Sequence, residues 1–171
     1  MHTFTVCLLV IAAIAQQPAP ATPMTPSAPH EKLSFFEGTW TAEEMPPERE
    51  FRETCAWLPS GRRHMVCRTS YKTASGQPRE GMSVMSYRAA DGIYVHQAFS
   101  ASGAVATVLG KVSADGRHWE FDGDEGAGES RVRTRVRIAP LSDGRFRFTE
   151  QTAKGSGDWS AEDVVTYRPS K

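Results

Sequence analysis

The sequence predicts an all-β fold, a single antiparallel up-and-down β-barrel of about ten strands. Three observations carry this expectation: a regular beat of turn signals, strand-length segments between them, and period-two alternation within those segments. The turn signals are Ser60-Gly61, Ser75-Gly76, Asp91-Gly92, Ser102-Gly103, Asp115-Gly116, Asp143-Gly144 and Gly155-Ser156-Gly157. Glycine supplies the positive φ of a tight turn, and Asp or Ser bonds the local backbone. The segments run over 38–44, 49–58, 63–73, 81–88, 92–101, 104–113, 117–122, 129–138, 144–152 and 158–168. No long stretch of helical period interrupts them, and closing such a meander of hairpins removes its exposed edges.

Alternation assigns the faces. In SRVRTRVRI, Val132, Thr134, Val136 and Ile138 share one face, and Arg131, Arg133, Arg135 and Arg137 share the other. RFRFTE continues the pattern with Phe146 and Phe148 inward and Arg145 and Arg147 outward. Such an arginine comb reads either as an anion-binding surface or as a solvated outer face. The second is favoured because burying unpaired charge is prohibitive, and Glu120, Asp122, Glu150 and Glu162 are candidates to neutralise part of it. Phe51, Cys55 and Trp57 on one segment, with Met65, Cys67 and Tyr71 on the next, predict a second inner face. Arg52, Thr54, Arg68 and Lys72 then point away. Ile93, Val95, Gln97 and Phe99 form a further candidate inner row, although Tyr94, His96 and Ala98 opposite them are also partly apolar.

The cysteines agree with this pairing. CAWLPSGRRHMVC folds about Gly61 and sets Cys55 opposite Cys67 on neighbouring strands, within reach of a disulfide. Eleven residues separate the two cysteines, too many for a redox C-x-x-C, and no second cysteine pair completes a zinc site. A structural disulfide is the expectation, and it implies an oxidising compartment.

The N-terminus points the same way. TFTVCLLVIAAIA, residues 3–15, is apolar and uncharged, and Ala13-Ile14-Ala15 has the form of a signal-peptidase site. Residues 1–15 read as a signal peptide cleaved after Ala15, with an uncleaved anchor as the alternative. Residues 16–32 read as an extended tether, with prolines at 18, 20, 23, 26 and 29. Residues 33–169 make the barrel domain, expected in the periplasm or outside the cell. Lys plus Arg and Asp plus Glu number 20 each. A neutral chain lacks the basic footprint of a nucleic-acid binder and the juxtamembrane cluster that holds a chain to anionic lipid.

LSFFEGTW, Leu33 to Trp40, opens the domain with heavy aromatic mass. Its Gly38-x-Trp40 resembles the first-strand motif of the calycins, the lipocalin and fatty-acid-binding-protein superfamily, and Val164 to Arg168 resembles their closing strand. The turn rhythm is closest to bacterial secreted lipocalin-like families, and the resemblance covers about 33–168. It implies that Gly38, Trp40 and Arg168 are structural, with Arg168 packing over Trp40 to close one barrel end and Phe35 and Phe36 covering its floor. The helical lid of fatty-acid-binding proteins does not carry over, because only TAEEMPPERE separates Trp40 from Phe51. Nor does their Arg-x-Tyr carboxylate site, since Tyr167 and Arg168 are contiguous and fall on opposite strand faces.

Catalytic and cofactor signals are weak. No G-x-S-x-G elbow occurs, and His30, His64, His96 and His118 stand singly without ligand spacing. The run Asp122 to Glu129 is acidic and glycine-rich but departs from the EF-hand pattern, so it reads as a turn at the barrel mouth, with calcium binding the lesser alternative. No catalytic residue, metal site or cofactor is therefore assigned. The expected function is binding of a small apolar or amphipathic molecule in the lumen, with Trp57, Met65, Tyr71, Gln97, Phe99 and Phe148 as lining residues. The alternatives are an envelope interaction module whose lumen these same residues fill, and an enzyme with a buried His or carboxylate cluster in the cup.

Overall fold

The structure, a computed structural model, describes residues 28–59, 61–125 and 131–170. The expected signal peptide and most of the tether lie outside the described residues. Ten strands follow in order: β1 Gly38–Ala42, β2 Arg52–Trp57, β3 His64–Lys72, β4 Pro78–Arg88, β5 Ile93–Ser100, β6 Val105–Val112, β7 Trp119–Glu125, β8 Val132–Pro140, β9 Phe146–Lys154 and β10 Asp163–Pro169. Every neighbour in sequence pairs antiparallel, and β1 pairs with β10 to close the barrel.

Most strand boundaries shift by one to five residues from the sequence reading, and three of these shifts have a local reason in the pairing. β4 starts at Pro78 rather than 81 because Tyr71 and Lys72 find partners in Arg79 and Pro78 above the Thr73–Gln77 turn. β7 continues to Glu125 rather than stopping at 122, paired along its length with β8. β10 starts at Asp163 rather than 158, because residues 155–162 fold back on β9 through Ser160 N–H to Thr152 O at 2.7 Å and Gln151 Nε2 to Ser160 O at 3.2 Å.

One end is plugged from inside. Ala28–Glu31 forms a single helical turn, α1, and Lys32–Phe36 a 3-10 turn. Residues 28–32, assigned to the tether by composition, are thus docked on the barrel: the Tyr94 hydroxyl donates to Pro29 O at 2.7 Å and Lys32 Nζ to Ser113 O at 3.1 Å. Leu33 and Phe36 are buried, and the Phe36 ring meets Trp119 at 5.0 Å. Trp40 Nε1 donates to Phe36 O at 2.8 Å, so the buried indole is satisfied while it holds the plug down. Trp119, Phe121, Phe146 and Tyr94 complete this aromatic lower core.

The arginine comb is an outer face supplied with acids from β7. Arg131 pairs with Asp124, Arg135 with Asp122 at 3.0 Å, and Arg137 with Glu120 at 3.7 Å. Trp159 lies across Arg133 and Arg135, whose guanidinium carbons sit 4.9 and 4.5 Å from its ring. The acidic run expected as a mouth turn is therefore partly strand, with Asp122 and Asp124 already engaged. Its remainder, 126–129, lies outside the described residues.

On β5 the inner row is reversed from the sequence reading. Phe99 pairs with Met82, which pairs with exposed Arg68, so Ile93, Val95, Gln97 and Phe99 face outward and Tyr94, His96 and Ala98 face in. Both rows are apolar enough to be buried, and a shift of one residue exchanges them. The decision falls to packing: Tyr94 lies opposite Gly110 and meets Trp119 at 4.8 Å, an arrangement available only on the inside.

Candidate functional site: the barrel lumen

Above the plug the barrel holds a cavity of about 580 Å³. Its floor is made by Phe36, Met85, His96 and Phe146, and it rises between Tyr71, Phe148 and Tyr167 to the 101–104 turn at the opposite end. This volume lies within the range of small-molecule sites.

The lining residues expected from sequence divide. Tyr71 and Phe148 line the cavity. Phe99 borders it at the rim but belongs to the outer row of β5, where it also borders an outer groove with Arg52 and Arg68. Met65 is fully buried in the core beside the disulfide hairpin. Trp57 sits at the plugged end, where Nε1 donates to Glu37 Oε2 at 3.0 Å and Arg62 lies 5.0 Å over the ring. Gln97 is exposed on the outside. Alternation correctly reads Trp57 and Met65 as inward but says nothing of height along the barrel, and here the lower positions are filled.

The structural trio also divides. Gly38 has a φ of 139°, in the region that favours glycine, as the chain passes from the plug into β1. Trp40 is buried and packs on Phe146 at 4.8 Å. Arg168 pairs with Thr41 and is exposed on the outer face, so it does not pack over Trp40; Pro169 lies opposite the indole instead. The one-residue offset puts Arg168 on the wrong side of the sheet for that contact.

Among the polar groups that line the lumen, Glu53, His96 and Tyr167 were not assigned to it from sequence, and Glu150, expected to neutralise the outer arginine comb, instead lies in the inward phase of β9 and lines the cavity. Glu53 occupies the apolar phase of β2 between Phe51 and Cys55, and Glu150 continues the phase of Phe146 and Phe148 on β9. A carboxyl in the buried phase was the available signal. Thr69 Oγ1 donates to Glu53 Oε2 at 2.8 Å, while among the described residues nothing donates to the Glu150 carboxylate. Burial pushes the Glu53 carboxyl above its ordinary value, the Thr69 bond opposing. Burial does the same for Glu150, and the charge of Asp163 adds to it.

The Tyr167 phenol is held protonated far above its usual range, first by burial and then by Glu53, Glu150 and Glu44. Burial alone lowers His96 from 6.5 to about 4. Its imidazole touches the Phe121 ring at 5.8 Å and, among the described residues, has no hydrogen-bond partner. No Lys or Arg lines the cavity among the described residues. The lumen is therefore apolar and aromatic, with carboxyl groups and, among the described residues, no fixed cation.

A family model described as a protein of unknown function, DUF1579, matches residues 25–168. The chain belongs to the DUF1579 family. No curated protein matches it. In this DUF1579 barrel the described donor atoms nearest to a metal set are those of Glu53, Cys55 and Cys67, which lie within 4.8 Å of one another. The two sulfurs are bonded to each other, as the hairpin pattern predicts, and offer no thiolate. What the DUF1579 lumen can do chemically is enclose an apolar body and meet its polar end with carboxyl, phenol and imidazole groups.

Proposed function

We propose that this protein is an exported, lipocalin-like calycin barrel that binds one small amphipathic molecule in its lumen. The observation that carries the reading is the 580 Å³ cavity between the aromatic plug and the mouth. A barrel serving only as an interaction module has no need to keep this volume, since empty apolar space costs stability. The Cys55–Cys67 disulfide supports an oxidising location, as does the Ala13-Ile14-Ala15 motif. The calycin reading rests on the closed ten-strand meander opened by Gly38 and Trp40.

The test is native mass spectrometry of the protein taken from its own envelope, with extraction of what co-purifies, alongside displacement of a fluorescent apolar probe. A discrete added mass and displaceable probe are the expected result. Repeated recovery of empty protein that takes up no probe overturns the reading.

A second reading is an acid–base catalyst, favoured by the meeting of Glu53, Glu150 and His96 in one cup. It ranks behind binding because His96 has no hydrogen-bonded nucleophile or orienting carboxylate. Extraction separates the two, since a carrier returns its ligand unchanged after incubation and a catalyst does not.

A further inference from the structure

Resting on the binding reading above, we infer that the ligand is a small organic cation, an amine with an apolar or aromatic body, whose charged nitrogen is taken by the carboxyl groups of the lumen, Glu53 and Glu150. Three independent observations converge on this class. First, the cavity contains carboxyl groups and no Lys or Arg among the described residues, so a ligand carboxylate or phosphate meets like charge with nothing to pair it. Second, the carboxyls are underused. Glu53 has a single good donor in Thr69, and Glu150 has none, although both face the cavity. Both carboxyls are half-buried with acceptor positions turned to the cavity, where a ligand N–H can reach them. Third, the neighbouring walls are aromatic: Phe146 and Tyr167 stack at 4.7 Å, and Phe148 meets Tyr167 at 6.4 Å. Aromatic faces attract a desolvated cation and repel an anion.

His96 fits the same class. Its imidazole is buried at the cavity floor, stays neutral, and has no hydrogen-bond partner among the described residues. It offers a donor or acceptor to a second polar group of the ligand. On the outer face of β7, Glu120, Asp122 and Asp124 are already paired with Arg137, Arg135 and Arg131.

The test uses three probes sharing one apolar body, phenylbutylamine, phenylbutanol and phenylbutyrate, titrated by calorimetry into the full folded domain. The variants are Glu53→Gln, Glu150→Gln and the double substitution. The expected order is amine, alcohol, carboxylate, with the amine about tenfold tighter than the alcohol, a difference typical of one charge-assisted contact. In the double variant the amine advantage over the alcohol falls to within about twofold, and a cooperative thermal unfolding transition shows separately that the variant is folded. Alcohol binding without an amine advantage overturns this inference and leaves the binding reading standing. An amine advantage that persists in the double variant places the cation away from Glu53 and Glu150, at Glu80 of the rim or on the outer surface, and also overturns it. If neither the probes nor an apolar dye bind, the proposed function falls and takes the inference with it.

Discussion

At the scale of single residues, the lumen sets two groups against the fold in opposite pH directions. The Glu53 carboxyl keeps its proton to higher pH in the folded chain than in the unfolded one. The folded state therefore binds more protons through that window, and stability falls as pH rises through the folded value. Glu53→Gln removes the charge and retains an acceptor for Thr69 Oγ1. Thermal unfolding is expected to show the variant more stable than wild type at pH 8, with the advantage shrinking toward pH 4; a variant less stable at pH 8 refutes this. His96 works the other way. Its folded value near 4 lies below the ordinary 6.5, so the unfolded chain binds more protons between them and stability is lost as pH falls across that interval. The shift corresponds to at most about 3 kcal/mol. In His96→Phe, which can pack on Phe121, that loss is expected to vanish, so its stability curve should diverge upward from wild type below pH 6.5; parallel urea-unfolding curves would show that burial of the imidazole is not the cause.

At the scale of elements, the β6–β7 and β2–β3 hairpins show what alternation can and cannot reveal. The second was legible: Cys55 and Cys67 occupy opposed positions in one inward phase, and the ladder pairs them directly. Replacing both with alanine is expected to cost about 3 kcal/mol by freeing a short loop in the unfolded chain, measured by urea unfolding of the double variant. An unchanged midpoint would assign hairpin stability to packing alone. The β6–β7 contact was not legible, because Gly110 reads from sequence as a weak strand residue. In the fold, a Cβ there would lie 2.2 Å from Glu120 O and 2.5 Å from the Phe121 ring. Gly110 is the inward position that lets β7 and its aromatic rings come close, which is the usual meaning of glycine inside a strand. Gly110→Ala is expected to destabilise by about 3 kcal/mol or more, since a carbonyl oxygen cannot step aside as a side-chain end can. A melting temperature within error of wild type would show that this approach is looser.

At the scale of the whole molecule, strand number, order and closure could be read from turn chemistry and period-two patterning, because each depends on local sequence. Which inner positions border empty space could not, because that depends on height above the plug and on where large rings meet across the barrel. Met65 and Tyr71 share one strand phase, yet Met65 is core and Tyr71 is cavity wall. Phe36 stands at the boundary between these two regions: it is buried in the aromatic core and also forms the cavity floor. Stability and ligand length are consequently coupled through one side chain. Phe36→Ala removes ring contacts with Phe35 and Trp119 and is expected to cost about 3–5 kcal/mol. The same deletion deepens the cavity toward Trp119. Among probes of one head group and increasing alkyl length, the variant should therefore shift its affinity maximum to longer chains, while Phe36→Leu shifts it less. Loss of stability without a change in preferred length would mean that the plug collapses into the gap, and the floor of the site would then have to be placed above Phe36.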